Sequence, residues 1–151
     1  MIEINKNKKV KLSRPDYYQG ILQLRDIDDD VIEFVRSQIN KRDDVAVTKV
    51  VKHSNGFDYY ITSQKYLQIL AKKLRESFGG FLKTSSRLHT KSRTGKDLYR
   101  VNVLYRQTIH KIGDIVNVRG DDYKLIHIGG KVFAKDVKTG RRKTLRSEDL
   151  P

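Results

Sequence analysis

Tyr17-Tyr18-Gln19-Gly20-Ile21-Leu22-Gln23-Leu24-Arg25 and Gly56-Phe57-Asp58-Tyr59-Tyr60-Ile61-Thr62-Ser63 are the stretches that decide the fold. Each packs aromatic and aliphatic residues into a strand-length run beside a turn or helix-start signal. After the first come Asp26, Asp28, Asp29 and Asp30, and then Val31, Phe34, Val35 and Ile39 at helical spacing. Acidic groups favour the positive end of a helix, and Lys41-Arg42 suit the negative end. An aspartate run also suggests a cation site. Capping and the helix dipole account for this one, and the spacing of a cation-binding loop is missing.

Val45, Val47, Val50 and Val51 predict a second strand, and Asn55-Gly56 a hairpin turn into Phe57–Ile61. Thr62 or Ser63 then caps a second helix. Tyr66, Leu67, Leu70, Leu74 and Phe78 form its apolar face, and Gly79-Gly80 end it. Phe81 to His89 and Leu98 to Arg106 read as two more strands around a turn at 92–97. In the second of these, Tyr99, Val101, Val103 and Tyr105 share one face. The unit is β-α-β-β-α-β-β, an α+β domain over residues 16–106 with two helices on a mostly antiparallel sheet.

The rhythm changes after residue 107. Strands are expected at 112–118, 123–128, 131–137 and 141–146, with turns at Asp121-Asp122, Gly129-Gly130 and Thr139-Gly140. Four short strands with turns every ~8–12 residues predict a small SH3-like β-barrel over 107–151. Residues 1–15 read as a flexible basic arm, with Lys8, Lys9, Lys11 and Arg14 among almost no apolar residues. Such an arm either frays or becomes ordered on a phosphate backbone.

The chain carries 32 Lys and Arg against 18 Asp and Glu, a net charge of +14 in 151 residues. All three segments are basic, so the excess is not confined to a tail. Without cysteine there are no disulfides or thiolate metal sites. His53, His89, His110 and His127 are scattered and lack metal-ligand spacing. No apolar run approaches ~18 residues, and no signal peptide is evident, so a cytoplasmic protein is expected. No glycine-rich phosphate loop or Ser/His/Asp signature occurs. Asp43-Asp44 and Asp121-Asp122 sit in predicted turns, where aspartate is structurally favoured. The expectation is a binding protein with no enzymatic activity, no cofactor, no metal, no membrane partner and no small-molecule substrate.

A compact basic domain of this kind suits a polyanion. Lys83, Arg87, Lys91, Arg93 and Lys96 lie among hydroxyl residues on a strand and its turn, and these groups suit phosphate contacts. Arg141, Arg142 and Lys143 form a second candidate patch, either a phosphate site or a turn kept soluble by charge. Tyr17, Tyr59 and Tyr60 are either stacking platforms or buried strand aromatics.

Tyr17-Tyr18, Ile21–Arg25, Gly56–Tyr60 with Thr62-Ser63 and Tyr66, Leu70–Leu74, Phe78-Gly79-Gly80 and Leu98–Val101 together resemble the large-ribosomal-subunit export adaptors. That family takes its name from nonsense-mediated mRNA decay, and the likeness is to its archaeal branch. The similarity runs from about residue 16 through residue 150. The middle motif is fairly specific, whereas Gly113-Asp114-Ile115-Val116 is common to many translation-related barrels. The resemblance implies binding to large-subunit rRNA and neighbouring ribosomal proteins on the intersubunit face, around the tRNA sites, in late assembly. It also implies a first domain similar to a eukaryotic-type ribosomal protein and a barrel resembling part of an elongation factor. Family members usually begin with a zinc domain built on paired CxxC motifs. That domain is not represented in this sequence, which leaves open a piece of a longer chain or a natural short member. A constitutive large-subunit ribosomal protein, a stand-alone translation or stress factor, and a protein–protein adaptor without RNA contact are the alternative readings.

Overall fold

The computed structural model describes residues 15–91, 93–95, 97–128, 131–146 and 149–150. The elements run β1 Gly20–Arg25, α1 Asp29–Asn40, β2 Val47–His53, β3 Gly56–Ile61, α2 Gln64–Phe78, β4 Phe81–Lys91 and β5 Asp97–Arg106. They continue as β6 Ile115–Val118, β7 Asp121–Ile128, β8 Val132–Asp136 and β9 Arg142–Leu145. The first seven match the expected β-α-β-β-α-β-β order. They form a five-stranded sheet in the order β2-β3-β1-β5-β4, and the last four a sheet in the order β6-β7-β8-β9.

The first sheet is antiparallel except at its centre, where β1 and β5 run parallel with Leu22 beside Val103. Sequence periodicity is the same for both directions. The parallel pair arises because β5 enters the middle of the sheet and leaves β4 at its edge. β1 begins at Gly20, so Tyr17, Tyr18 and Gln19 lead into the strand instead of belonging to it.

Capping follows the sequence closely. The Asp28 side chain accepts from the Val31 amide at 3.0 Å, and the Ser63 hydroxyl accepts from the Tyr66 amide at 3.2 Å. Such caps satisfy amides that a helix start leaves without partners. The Thr62 hydroxyl instead accepts from the Ala46 amide at 3.0 Å and ties the β2 entry to the α2 start. α2 ends at Gly79, whose carbonyl accepts the Tyr105 hydroxyl at 2.8 Å.

Both helices pack on one side of the sheet. Val31, Val35, Ile39, Leu67, Leu70 and Leu74 meet Leu22, Leu24, Tyr59, Ile61, Val103 and Tyr105 in one core, all fully buried. Burying a side chain of this size contributes about 1.5–3 kcal/mol. Gly56 is there for space: a Cβ on it would stand 1.7 Å from the Leu24 carbonyl oxygen.

The second sheet is antiparallel throughout, a form consistent with a small barrel, over a core that includes Val116, Tyr123, Leu125, Val132, Ala134 and Leu145. Phe81 packs against this core, and Arg75 Nη2 lies 3.3 Å from His127 Nε2, so the sheet abuts the α2–β4 junction. The first turn is not at Asp121-Asp122. Those residues start β7, and Arg119-Gly120 make the turn with φ of 53° and 88°. Two successive positive φ values match the twist of antiparallel strands in a two-residue hairpin, and glycine takes the second at no steric cost. Among the described residues, no helix is long and apolar enough to cross a membrane.

Candidate nucleic-acid interface

Because both helices cover one face of the first sheet, the other face is open. β-strand alternation sends Ile21, Gln23, Arg25, Tyr60, Arg100, Asn102, Leu104 and Arg106 to it, and all eight are half-buried. One row across the sheet reads Lys49, Tyr60, Ile21, Asn102 and Ser85. Arg87 stands opposite Arg100 and Lys83 opposite Leu104. Like charges placed directly opposite each other in a sheet are destabilising, so an Arg–Arg pair there suits an anionic partner.

Acidic groups on or beside this face are occupied. Asp58 lies 2.7 Å from Arg25 and 2.9 Å from His53, and Asp26 lies 3.6 Å from Arg106. Among the described residues, none of the ion pairs engages Lys49, Lys83, Arg87 or Arg100. Aromatic rings alternate with these cations. Lys49 Nζ is 5.3 Å from the Tyr60 ring centre, Tyr60 meets Tyr18 edge-on at 4.8 Å, and the Arg100 guanidinium lies 3.9 Å over Tyr18. Arg100 also donates to the Tyr18 hydroxyl at 3.0 Å. Cations over ring faces are held by the ring quadrupole, which fixes both partners.

β4 and β5 run past the edge of the helix layer as a hairpin. Residues 83–91 are exposed on both faces, and Tyr99 is exposed too, although its sequence alternation places it with Val101 and Val103. Tyr99 belongs to neither buried core, and with Gln64 at the start of α2 it lines a cleft at this end of the sheet. Of the five candidate cations in this segment, Lys83, Arg87 and Lys91 stand on β4 and Arg93 in the turn, all exposed. Lys96, and the arm residues Lys8, Lys9, Lys11 and Arg14, lie outside the described residues.

The second patch is divided by the strand. Arg141 is in the turn before β9, Arg142 stands opposite Lys135, and Lys143 lies over the buried Tyr123 ring at 5.5 Å. Lys135 is in turn opposite Lys124, so Lys124, Lys135 and Arg142 make a cationic row across three strands. Lys124 and Lys135 do not stand out in the sequence, because only pairing register brings them beside Arg142.

The tyrosines also separate. Tyr59 is fully buried, and burial pushes its phenol up, against the opposing charge of Arg36. Tyr17, Tyr18 and Tyr60 are half-buried, and Tyr18 and Tyr60 meet on the open side. Tyr17 is held in place: the Gln19 side-chain Nε2 donates to its hydroxyl at 2.7 Å, and the same side chain's Oε1 accepts from the Gln64 backbone amide at 2.9 Å. Tyr18 and Arg100 are held together on the open face, although the sequence does not single out either as a contact residue. Arg100 is legible there as a polar position in the alternation of β5 and as part of the Leu98–Val101 motif. Among the described residues, no group of three or more His, Asp or Glu side chains is arranged to hold a metal.

The fold and this surface define a basic α+β module with one helix-covered and one open, cation- and tyrosine-bearing sheet face. The chain belongs to the NMD3 family: the sequence pattern of NMD3, second domain, matches residues 17–106. The matched stretch begins at Tyr17 and ends with β5, so it covers the first sheet and both helices. Comparison with curated proteins gives no match.

Proposed function

We propose that this chain is an rRNA-binding factor of the large ribosomal subunit that acts in late assembly by occupying the tRNA-site region. The NMD3 family is linked to large-subunit biogenesis. The observation that carries the reading is the open sheet face, where cations and tyrosines alternate beside an exposed basic hairpin. Basic side chains and hydroxyls supply phosphate contacts, and rings supply base contacts. The second sheet, read as an SH3-like barrel, adds the Lys124, Lys135 and Arg142 row as a second contact. Two linked patches gain avidity and leave slowly. Its sequence carries no glycine-rich phosphate loop, and in this reading the protein acts without catalysis as a cytoplasmic placeholder that another factor or a competing ligand displaces.

A competition assay on purified large subunits tests this, using labelled protein and excess deacylated tRNA. Mutual exclusion is expected, and simultaneous unhindered binding refutes the placeholder role. Quantitative mass spectrometry of ribosome gradients separates an assembly factor from a constitutive component. Enrichment on immature particles is expected, whereas near-equal stoichiometry on mature subunits contradicts the assembly role.

A further inference from the structure

The first sheet is not flat at its hairpin end, where the open face meets the start of α2. A cleft of about 320 Å³ lies between the lead-in to β1, the start of α2 at Gln64 and the β4–β5 hairpin, lined in part by Tyr17, Tyr18, His89, Tyr99 and Arg100. A smaller hollow of about 140 Å³ adjoins it, sharing Tyr18, His89 and Arg100 and bounded on its far side by Arg87 and Asn102. The two form one groove, with ring and guanidinium surfaces along it and basic side chains at its rim. Leu98 and Tyr99 are 46% and 48% exposed, an unusual state for two adjacent large side chains that reach no core.

We infer that this groove holds unpaired nucleotides, so that the face recognises single-stranded RNA and not duplex. The inference rests on the RNA-binding reading above and adds to it the form of RNA recognised. The groove is concave and narrow, and a double helix presents a convex surface with its bases stacked inside. An unpaired base exposes a flat ring that can lie against tyrosine or arginine planes, and stacking of that kind tolerates any base. Tyr17 is fixed by Gln19 and Tyr18 by Arg100, so little side-chain freedom is lost when a base arrives. Arg87 and Arg100, paired across β4 and β5, reach the phosphates between successive bases. Asn102 and His89 offer hydrogen-bonding groups to base edges.

The test measures fluorescence anisotropy of the full chain with three RNA probes. These are an unstructured oligouridine strand, a strand of equal length carrying abasic positions, and the oligouridine duplexed with oligoadenine. The intact strand should bind tighter than either other probe. Tyr99→Ala and Tyr17→Ala should each weaken it roughly fivefold to a hundredfold, the range for one lost stacking contact. Neither change should alter the abasic probe or the salt slope, and Tyr99→Phe should restore binding because the ring face remains. Tyr99 is exposed, so its variants report even if Tyr17→Ala does not fold. Equal binding of strand and duplex overturns the inference, as do equal losses on the abasic probe or a Phe variant as weak as Ala. In each of those cases RNA binding itself stands. Failure of the wild-type chain to bind any probe at low salt removes both readings.

Discussion

Replacing Arg87, Lys91 and Arg93 together by alanine should flatten the salt dependence of RNA binding without unfolding the protein. Arg87 and Lys91 are exposed on the projecting part of β4, and Arg93 is exposed in the turn that follows. None of the three belongs to either core. Exposed changes of this kind leave stability within about 0.5 kcal/mol, so the melting curve should hardly move. Each phosphate contact contributes a slope of about −0.9 in log affinity against log salt on duplex, and about −0.7 on single strands. Three contacts therefore account for a slope of about −2 to −3. Between ~50 and ~200 mM salt, the wild type should lose roughly 20- to 40-fold more affinity than the triple variant. Anisotropy titrations at four or so salt concentrations measure both slopes. An unchanged slope with an intact fold would show that the hairpin cations are only solvated, and would leave the open face and the second sheet to carry binding.

The remaining predictions concern the scaffold that positions the face. Gly56→Ala should cost about 3 kcal/mol or more in denaturant unfolding, because the new Cβ would meet the Leu24 carbonyl at 1.7 Å and push β3 off β1. An alanine variant of near wild-type stability would show that the two strands have room to separate. Burial pushes the Tyr105 phenol up to about 12, and the Asp28 charge adds to this. The folded value lies above the unfolded value near 10, so this contribution is complete below about pH 10 and is lost as pH rises from about 10 to 12. Two units correspond to roughly 2–3 kcal/mol, and Tyr105→Phe should remove that alkaline loss while sacrificing about 1 kcal/mol with the Gly79 hydrogen bond. Urea unfolding across alkaline pH measures both, and parallel pH profiles for wild type and variant would refute the assignment.

Local chemistry determined much of this protein from sequence alone. The spacing of Val31 to Ile39 and of Tyr66 to Phe78 specified both helices, and the Asp26–Asp30 run and Thr62-Ser63 marked their starts, because periodicity and capping depend only on near neighbours; the structure picked Asp28 and Ser63 as the caps. Asn55-Gly56 signalled the first hairpin one residue late: Ser54-Asn55 make the turn, and Gly56 already belongs to β3 opposite His53. The positive hairpin was visible as a run of charge. Tertiary structure decided what depends on residues distant in the chain. The parallel pairing of β1 with β5 brought Arg100 within reach of Tyr18, 82 positions earlier. It also left β4 at the sheet edge, where residues 83–91 and the neighbouring Tyr99 of β5 stay exposed. Tyr59 and Tyr60 are adjacent and chemically alike, yet one is core and the other surface. Alternation guarantees that they differ, but only the side on which the helices pack determines which of them faces out.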